Sequence, residues 1–237
     1  MSLKRISLLI LFLVVASKIA IAQLVNPVVT LTGSVIDAVT KDPITAIMVV
    51  TDENGKRVNA TRSNGAENGY YFITGLKPGH KYIITVSNTY YLKEKYEIEI
   101  TDAYKYTELS HDFLIVPLAK DTKIPLSVPP FELNKSKLRF GADYALETIK
   151  STLFHNPNVK FEIICFPDND DNPAENETIT RERAKAIEKY FLTQGIDASR
   201  ITTGGSKKTD PDNPPPKKMK AKGKRYIGTT YIKITEV

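Results

Sequence analysis

Residues 161–184 read FEIICFPDNDDNPAENETITRERA. Phe161, Ile163 and Cys165 recur at every second position, the period of a strand that turns one face to a core. The strand runs into an acidic loop, and the spacing beyond it predicts a helix that starts at Thr180, whose hydroxyl would accept from the first free backbone N–H groups. Asp168 then stands where the strand ends and Arg183 one turn into the helix. A carboxylate can take an ammonium, and a guanidinium can clamp a carboxylate with two parallel hydrogen bonds, so the two together suit a zwitterion. A helix N-terminus nearby adds partial positive charge for the same anion. The same residues also fit a surface ion pair of small energetic weight. Spacing alone leaves both readings open.

Working outward, the helix presents Ala184, Ile187, Tyr190 and Phe191 on one face and stops at Gly195. Upstream, GADYALETIKSTLFHNP (141–157) carries Tyr144, Leu146, Ile149 and Leu153 at near-helical spacing before Pro157. FELNKSKLRF (131–140) reads as a strand and turn, Ile201-Thr202-Thr203 as a short strand and TTYIKITEV (229–237) as a final one. The order β-α-β-α-β with a terminal strand predicts an α+β layer, helices on a mixed sheet. SKKTDPDNPPPKKMKAKGKR (206–225) holds seven lysines and four prolines. It reads as a solvated loop, with an arm for phosphate or wall polymer as the alternative.

The N-terminal half has another rhythm. VVTLTGSVID, AIMVVTD, GYYFITGL, HKYIITVS, KYEIEIT and HDFLIVPL are short runs rich in Val, Ile, Thr, Tyr and Phe. Between them Asp52-Glu53-Asn54-Gly55, Asn64-Gly65, Asn68-Gly69 and Lys77-Pro78-Gly79 supply turn chemistry. An all-β sandwich over residues 23–118 follows. Tyr90, Tyr91, Tyr96, Tyr104 and Tyr106 could make an aromatic carbohydrate face or sit half-buried in strands. Residues 119–130, with Pro125, Pro129 and Pro130, read as a semi-rigid connector, which leaves 131–237 as the second domain.

The chain opens MSLKRISLLILFLVVASKIAIAQ: Lys4 and Arg5, an apolar run, then Ala20-Ile21-Ala22. That is the pattern of an export signal over residues 1–22, too short in its apolar core for a confident membrane span. The formal charge is +6, and Lys4, Arg5 and Lys18 of that segment account for half of it, so basicity gives no argument for nucleic acid. Cys165 stands alone, which excludes an intrachain disulfide and suits a small buried apolar side chain. His80, His111 and His155 are scattered, and DNDDNPAENE lacks the glycine and closing acid of a calcium loop. No metal or cofactor is expected.

Two family resemblances rest on these segments. GSVIDAVTKDPITAIMVV followed by NGYYFITGLKPGHKYIITV resembles the carboxypeptidase regulatory-like, or prealbumin-like, β-sandwich, which implies a non-catalytic spacer or interaction module. FELNKSKL (131–138), FEIICFPD (161–168) and NETITRERA (176–184) resemble the OmpA-like C-terminal domain, with Asn176, Ile179, Thr180, Arg183 and Ala184 in register with its motif. That resemblance implies a peptidoglycan-associating module in which Asp168 accepts from the ammonium of meso-diaminopimelate in a stem peptide and Arg183 forks onto its carboxylate. Asn134 would then give a supporting hydrogen bond, or be a turn residue only. The chain departs from the motif where Cys165-Phe166-Pro167 replaces Gly-His-Thr, and where Ile227-Gly228-Thr229-Thr230-Tyr231-Ile232 lacks the family's Asn and arginines.

The function these resemblances imply is a non-catalytic protein of the periplasm that anchors an outer-membrane or envelope complex to the cell wall. Its partners would be peptidoglycan and an envelope protein held by the sandwich, with no transmembrane span in the mature chain. The alternative is a degenerate OmpA-like module acting as a protein–protein adaptor. A wall hydrolase would need a nucleophile–base or metal constellation that the sequence does not display.

Overall fold

A computed structural model describes residues 27–103, 105–216 and 225–237; the expected export signal, Tyr104 and residues 217–224 of the lysine-rich loop lie outside them. In the N-terminal half, β1 (Val29–Asp37), β4 (Tyr70–Leu76), β7 (Thr107–Ser110) and β8 (Phe113–Ile115) form one sheet. The second sheet has the order β3 (Arg57–Arg62), β2 (Ile47–Asp52), β5 (Lys81–Ser87), β6 (Glu94–Glu99). Alternation decides which face is inside: Met48 and Val50 of β2, Ile84 and Val86 of β5, Leu31 and Val35 of β1, and Ile73 of β4 share one buried cluster. β1 pairs in parallel with β7 up to Thr32 and with β8 from Val35. The exchange occurs at Gly33, where φ is 149° and an added Cβ would lie 2.0 Å from the His111 carbonyl oxygen. Only glycine lets the two backbones approach that closely.

The C-terminal sheet has the order β11 (Ile201–Gly205), β10 (Lys160–Cys165), β12 (Thr230–Glu236), β9 (Lys123–Pro125). β10 runs parallel to β11 and antiparallel to β12. The helices are α1 (Ala142–His155) and α2 (Pro173–Thr193). Phe161, Ile163 and Cys165 of β10 face Ala184, Ile187 and Phe191 of α2 in one core with Leu146 and Leu153 of α1. Burial pushes the Cys165 thiol up to about 12, so it packs as an inert apolar group. The all-β region followed by an α+β region is the architecture that the patterning predicts.

Three boundaries differ from the sequence reading, each for a physical reason. Residues 119–130 are not a free connector throughout, because Ile124 is buried and Lys123–Pro125 pairs with β12. Pro125 is accommodated because β9 is an edge strand, where a missing N–H costs no ladder bond. Residues 131–140 form no strand beyond the single Phe131↔Leu138 bridge. They fold as a turn in which the Lys135 N–H donates to the Glu132 carbonyl and Asn134 takes φ +52°. Finally, α2 starts at Pro173 rather than Thr180. Asn172 caps it by accepting from the Glu175 N–H, Pro173 supplies a pre-set φ in the first turn, and half of the expected acidic loop is thereby helix.

The two halves are joined by more than the chain. Leu92, just before β6, is fully buried in the C-terminal core. The Asn156 side chain, at the end of α1, accepts from the Lys93 N–H and donates to the Lys93 carbonyl, both at 3.0 Å.

Candidate functional site

The C-terminal ends of β10 and β11 and the first turns of α2 meet at one end of the domain, where the loops after these strands gather. Thr180 holds this junction from inside the helix. Its single hydroxyl hydrogen donates to the Asn176 carbonyl at 2.7 Å, and its oxygen accepts from the Ser206 N–H at 2.8 Å. The buried Asn176 side chain donates to the carbonyls of Asn169 and Lys207, tying the loop after β10 to the loop after β11. Asp170 accepts from the Thr209 N–H and hydroxyl across the same gap. Asp210, fully buried, takes the hydroxyls of Thr229 and Tyr231 and so fixes the second loop to β12.

Within this frame Asp168 and Arg183 come together, and they meet each other. The guanidinium forks onto the carboxylate, Nη1 to Oδ1 at 2.9 Å and Nη2 to Oδ2 at 2.7 Å, with side chains 1% and 2% exposed. Nε donates to the Lys135 carbonyl, Nη1 also to Phe166 and Nη2 also to Glu132, and the Phe131 ring lies 5.3 Å from Cζ. A guanidinium has five N–H groups, and all five are engaged. Asp168 is equally occupied: besides the fork, Oδ2 accepts from the Asn134 N–H at 2.7 Å and Oδ1 from the Gly228 N–H at 2.8 Å. The surface-pair reading is therefore wrong. This is a buried, bidentate pair that clamps the turn at 132–135, the end of β10 and the approach to β12.

Burial pushes the Asp168 carboxyl up, but the fork from Arg183 and the N–H groups of Asn134 and Gly228 outweigh it and hold it below its ordinary 3.8. A carboxyl depressed on folding contributes stability that is complete above its unfolded pKa and is lost as pH falls through the lower, folded value. Asp37 and Asp210 are depressed as well, Asp210 against burial by the hydroxyls of Thr229 and Tyr231. Acid titration of stability should thus show a steep fall below about pH 4. Asp168→Asn should flatten part of that slope; equal slopes in wild type and variant, followed by urea unfolding at stepped pH, would deny Asp168 the role.

Asp168 floors a hollow of about 420 Å³ whose walls include Leu133, Asn134, Asp170, Asp171, Arg225 and Tyr226. Asn134 is exposed at its rim and borders two adjoining hollows along α2. Its backbone serves the floor while its side chain stays at the surface. Arg183 lies beneath, outside the lining. Of the tyrosines considered for an aromatic face, Tyr91 bonds to Asp37 and Tyr96 to Glu94 and the Leu114 carbonyl, whereas Tyr90 and Tyr106 are exposed.

Sequence reasoning missed Gly228, and a signal for it existed: a lone glycine leading into an apolar strand marks a close backbone approach. An added Cβ there would fall 2.0 Å from the Phe166 carbonyl oxygen. Arg139 was missed because it belongs to no motif, and Arg225 was read only as the end of the basic loop 206–225.

Comparison with known proteins gives one family-model match, the OmpA family, at residues 130–224. Over 84 residues the chain is 31% identical to photosystem I P700 chlorophyll a apoprotein A2 of Gloeobacter violaceus, which covers 35% of this chain and 10% of that protein. The chain therefore spans about a tenth of the length of that curated relative. Among solved structures, the OmpA-like domain of FopA1 from Francisella tularensis is 14% identical over 51% of this chain and 86% of that one, at a TM-score of 0.36. The peptidoglycan-associated lipoprotein from Burkholderia pseudomallei is 12% identical over 44% of this chain and 86% of that one, also at 0.36. The segment that carries the buried fork, from the turn before α1 to the lysine-rich loop, is the segment matched: residues 130–224 are a domain of the OmpA family.

Proposed function

We propose that this protein binds peptidoglycan without catalysis and anchors an envelope complex to the cell wall, from the periplasmic side of an outer membrane. What carries the reading is the hollow over Asp168 in an OmpA-family domain, with one carboxylate in its floor and an exposed amide at its rim. Diaminopimelate of a stem peptide suits the hollow because its ammonium meets the acidic side formed by Asp168, Asp170 and Asp171. Asp168 makes the floor, Arg183 holds it from beneath, and Asn134 makes the rim. The β-sandwich serves as the docking module for an envelope protein. Among the described residues no helix is long and apolar enough to cross a membrane.

Each hydrogen bond to a charged group contributes roughly 1.5–3 kcal/mol, and lost translational freedom offsets much of it. A single stem should bind in the micromolar to millimolar range. The wall presents stems as an array, so effective concentration compensates for a weak single contact.

Asn134→Gly is the cleanest surface test. Glycine accepts φ +52° and retains the N–H that serves Asp168, so only the side chain at the rim is lost. Stability should be unchanged and affinity for a stem peptide should fall about three- to tenfold, the weight of one neutral hydrogen bond. Unchanged affinity would remove Asn134 from the site.

One observation favours the second reading, a degenerate module acting as a protein adaptor: every donor of Arg183 is already engaged within the fold. The two readings part on purified sacculi. Wild-type protein should co-sediment with them in proportion to their stem-peptide content, and a folded protein that stays in the supernatant would establish the adaptor.

A further inference from the structure

Next to the hollow over Asp168, sharing Leu133 and Arg225 with it, lies a second one of about 360 Å³ lined also by Glu132, Lys135 and Arg139. Its charge is the reverse of the first: three cationic side chains against one carboxylate. Glu132 is paired with Lys135, which leaves the two arginines as the cationic character of the site. Arg139 Nε is buried without a hydrogen-bond partner, and it is the only such side-chain nitrogen or oxygen among the described residues. Buried donors are rarely left unmatched, because desolvation without an acceptor is costly. Arg139 thus keeps one unmatched N–H in the protein while its side chain borders a cationic hollow, and a planar guanidinium fork suits a carboxylate best.

We propose that the hollow between Arg139 and Arg225 receives a carboxylate of the wall ligand, the task for which Arg183 has no free donor. The inference rests on the wall-binding reading above and refines it. Ammonium and carboxylate of one headgroup would be drawn to adjoining hollows of opposite sign, with Leu133 and Arg225 common to both. Arg183 is then a positioning residue: through Lys135 and Glu132, whose carbonyls it holds, it shapes the turn that forms one wall of the cationic hollow.

The test uses the full chain, isothermal titration and two probes: a stem tripeptide ending in meso-diaminopimelate, and the same tripeptide with its diaminopimelate carboxylates converted to carboxamides. Wild type should prefer the acid by about tenfold or more, the weight of one charged hydrogen bond. Arg139→Gln and Arg225→Gln should each bring acid binding down toward the amide level, and Arg139→Gln, at a residue that lines only the second hollow, should leave amide binding unchanged. Arg139→Lys, which keeps the charge but loses the fork, should fall between. Melting temperatures within a few degrees of wild type confirm that the variants fold, and Arg225→Gln, at an exposed position, serves if Arg139→Gln does not. Variants that keep the full acid preference would overturn the inference. Equal binding of both probes by wild type would overturn it while leaving wall binding intact, and binding of neither probe would remove both.

Discussion

Arg183→Met should cost about 3–5 kcal/mol of stability, the range for removing one partner of a buried ion pair. Met keeps most of the stem against Phe131 but leaves Asp168 with no counter-charge and strips three main-chain carbonyls of a donor. For a chain of this size that is a drop of roughly 6–20 °C in Tm, read by circular dichroism. A loss of wall binding in this variant would therefore report on folding as well as contact, unlike the loss in Asn134→Gly. A fall of less than about 1 kcal/mol, the value of an exposed pair, would show that the fork is not closed in solution.

Gly228→Ala should be comparably severe. The new methyl would sit 2.0 Å from the Phe166 oxygen and 2.6 Å from the Pro167 oxygen, both backbone atoms that cannot swing aside. Forcing the strands apart costs typically 1–3 kcal/mol, and the Gly228 N–H to Asp168 is lost with the shift. A charged hydrogen bond adds roughly 1.5–3 kcal/mol, so a total of about 3–5 kcal/mol is expected. Because both changes act on the carboxylate's cradle, Gly228→Ala and Arg183→Met should combine with less than additive cost. Full additivity in urea unfolding of the double variant would mean that the two act on separate features.

Much of the C-terminal domain was legible because local pattern and tertiary role coincide. Phe161, Ile163 and Cys165 alternate, and all three are fully buried; Ala184, Ile187 and Phe191 share a helical face and all three meet them. The start of α2 was misread because Thr180 and Asn172 are both competent caps, and only the proline after Asn172 separates them. β9 was illegible for a different reason. Its three residues pair with β12 from more than a hundred positions away, and Lys-Ile-Pro has no strand signature of its own.

The candidate site was legible in part. Spacing placed Asp168 and Arg183 at one end of the sheet, but it could not say what each would bond to. That depends on Glu132, Lys135 and Gly228, which reach the pair from two distant segments. Charge at one address is visible in sequence, while the number of donors still free is a property of packing. Here every donor of Arg183 is engaged within the fold, which is why the proposed carboxylate site lies at Arg139 and Arg225 instead.

The most direct measurement is isothermal titration of the intact protein with a diaminopimelate-containing stem peptide at low salt. The account predicts saturable heat with a Kd between about one micromolar and one millimolar, weakened when Asn134 loses its side chain. An absence of heat from protein that is folded by circular dichroism, together with no retention on sacculi, would contradict it.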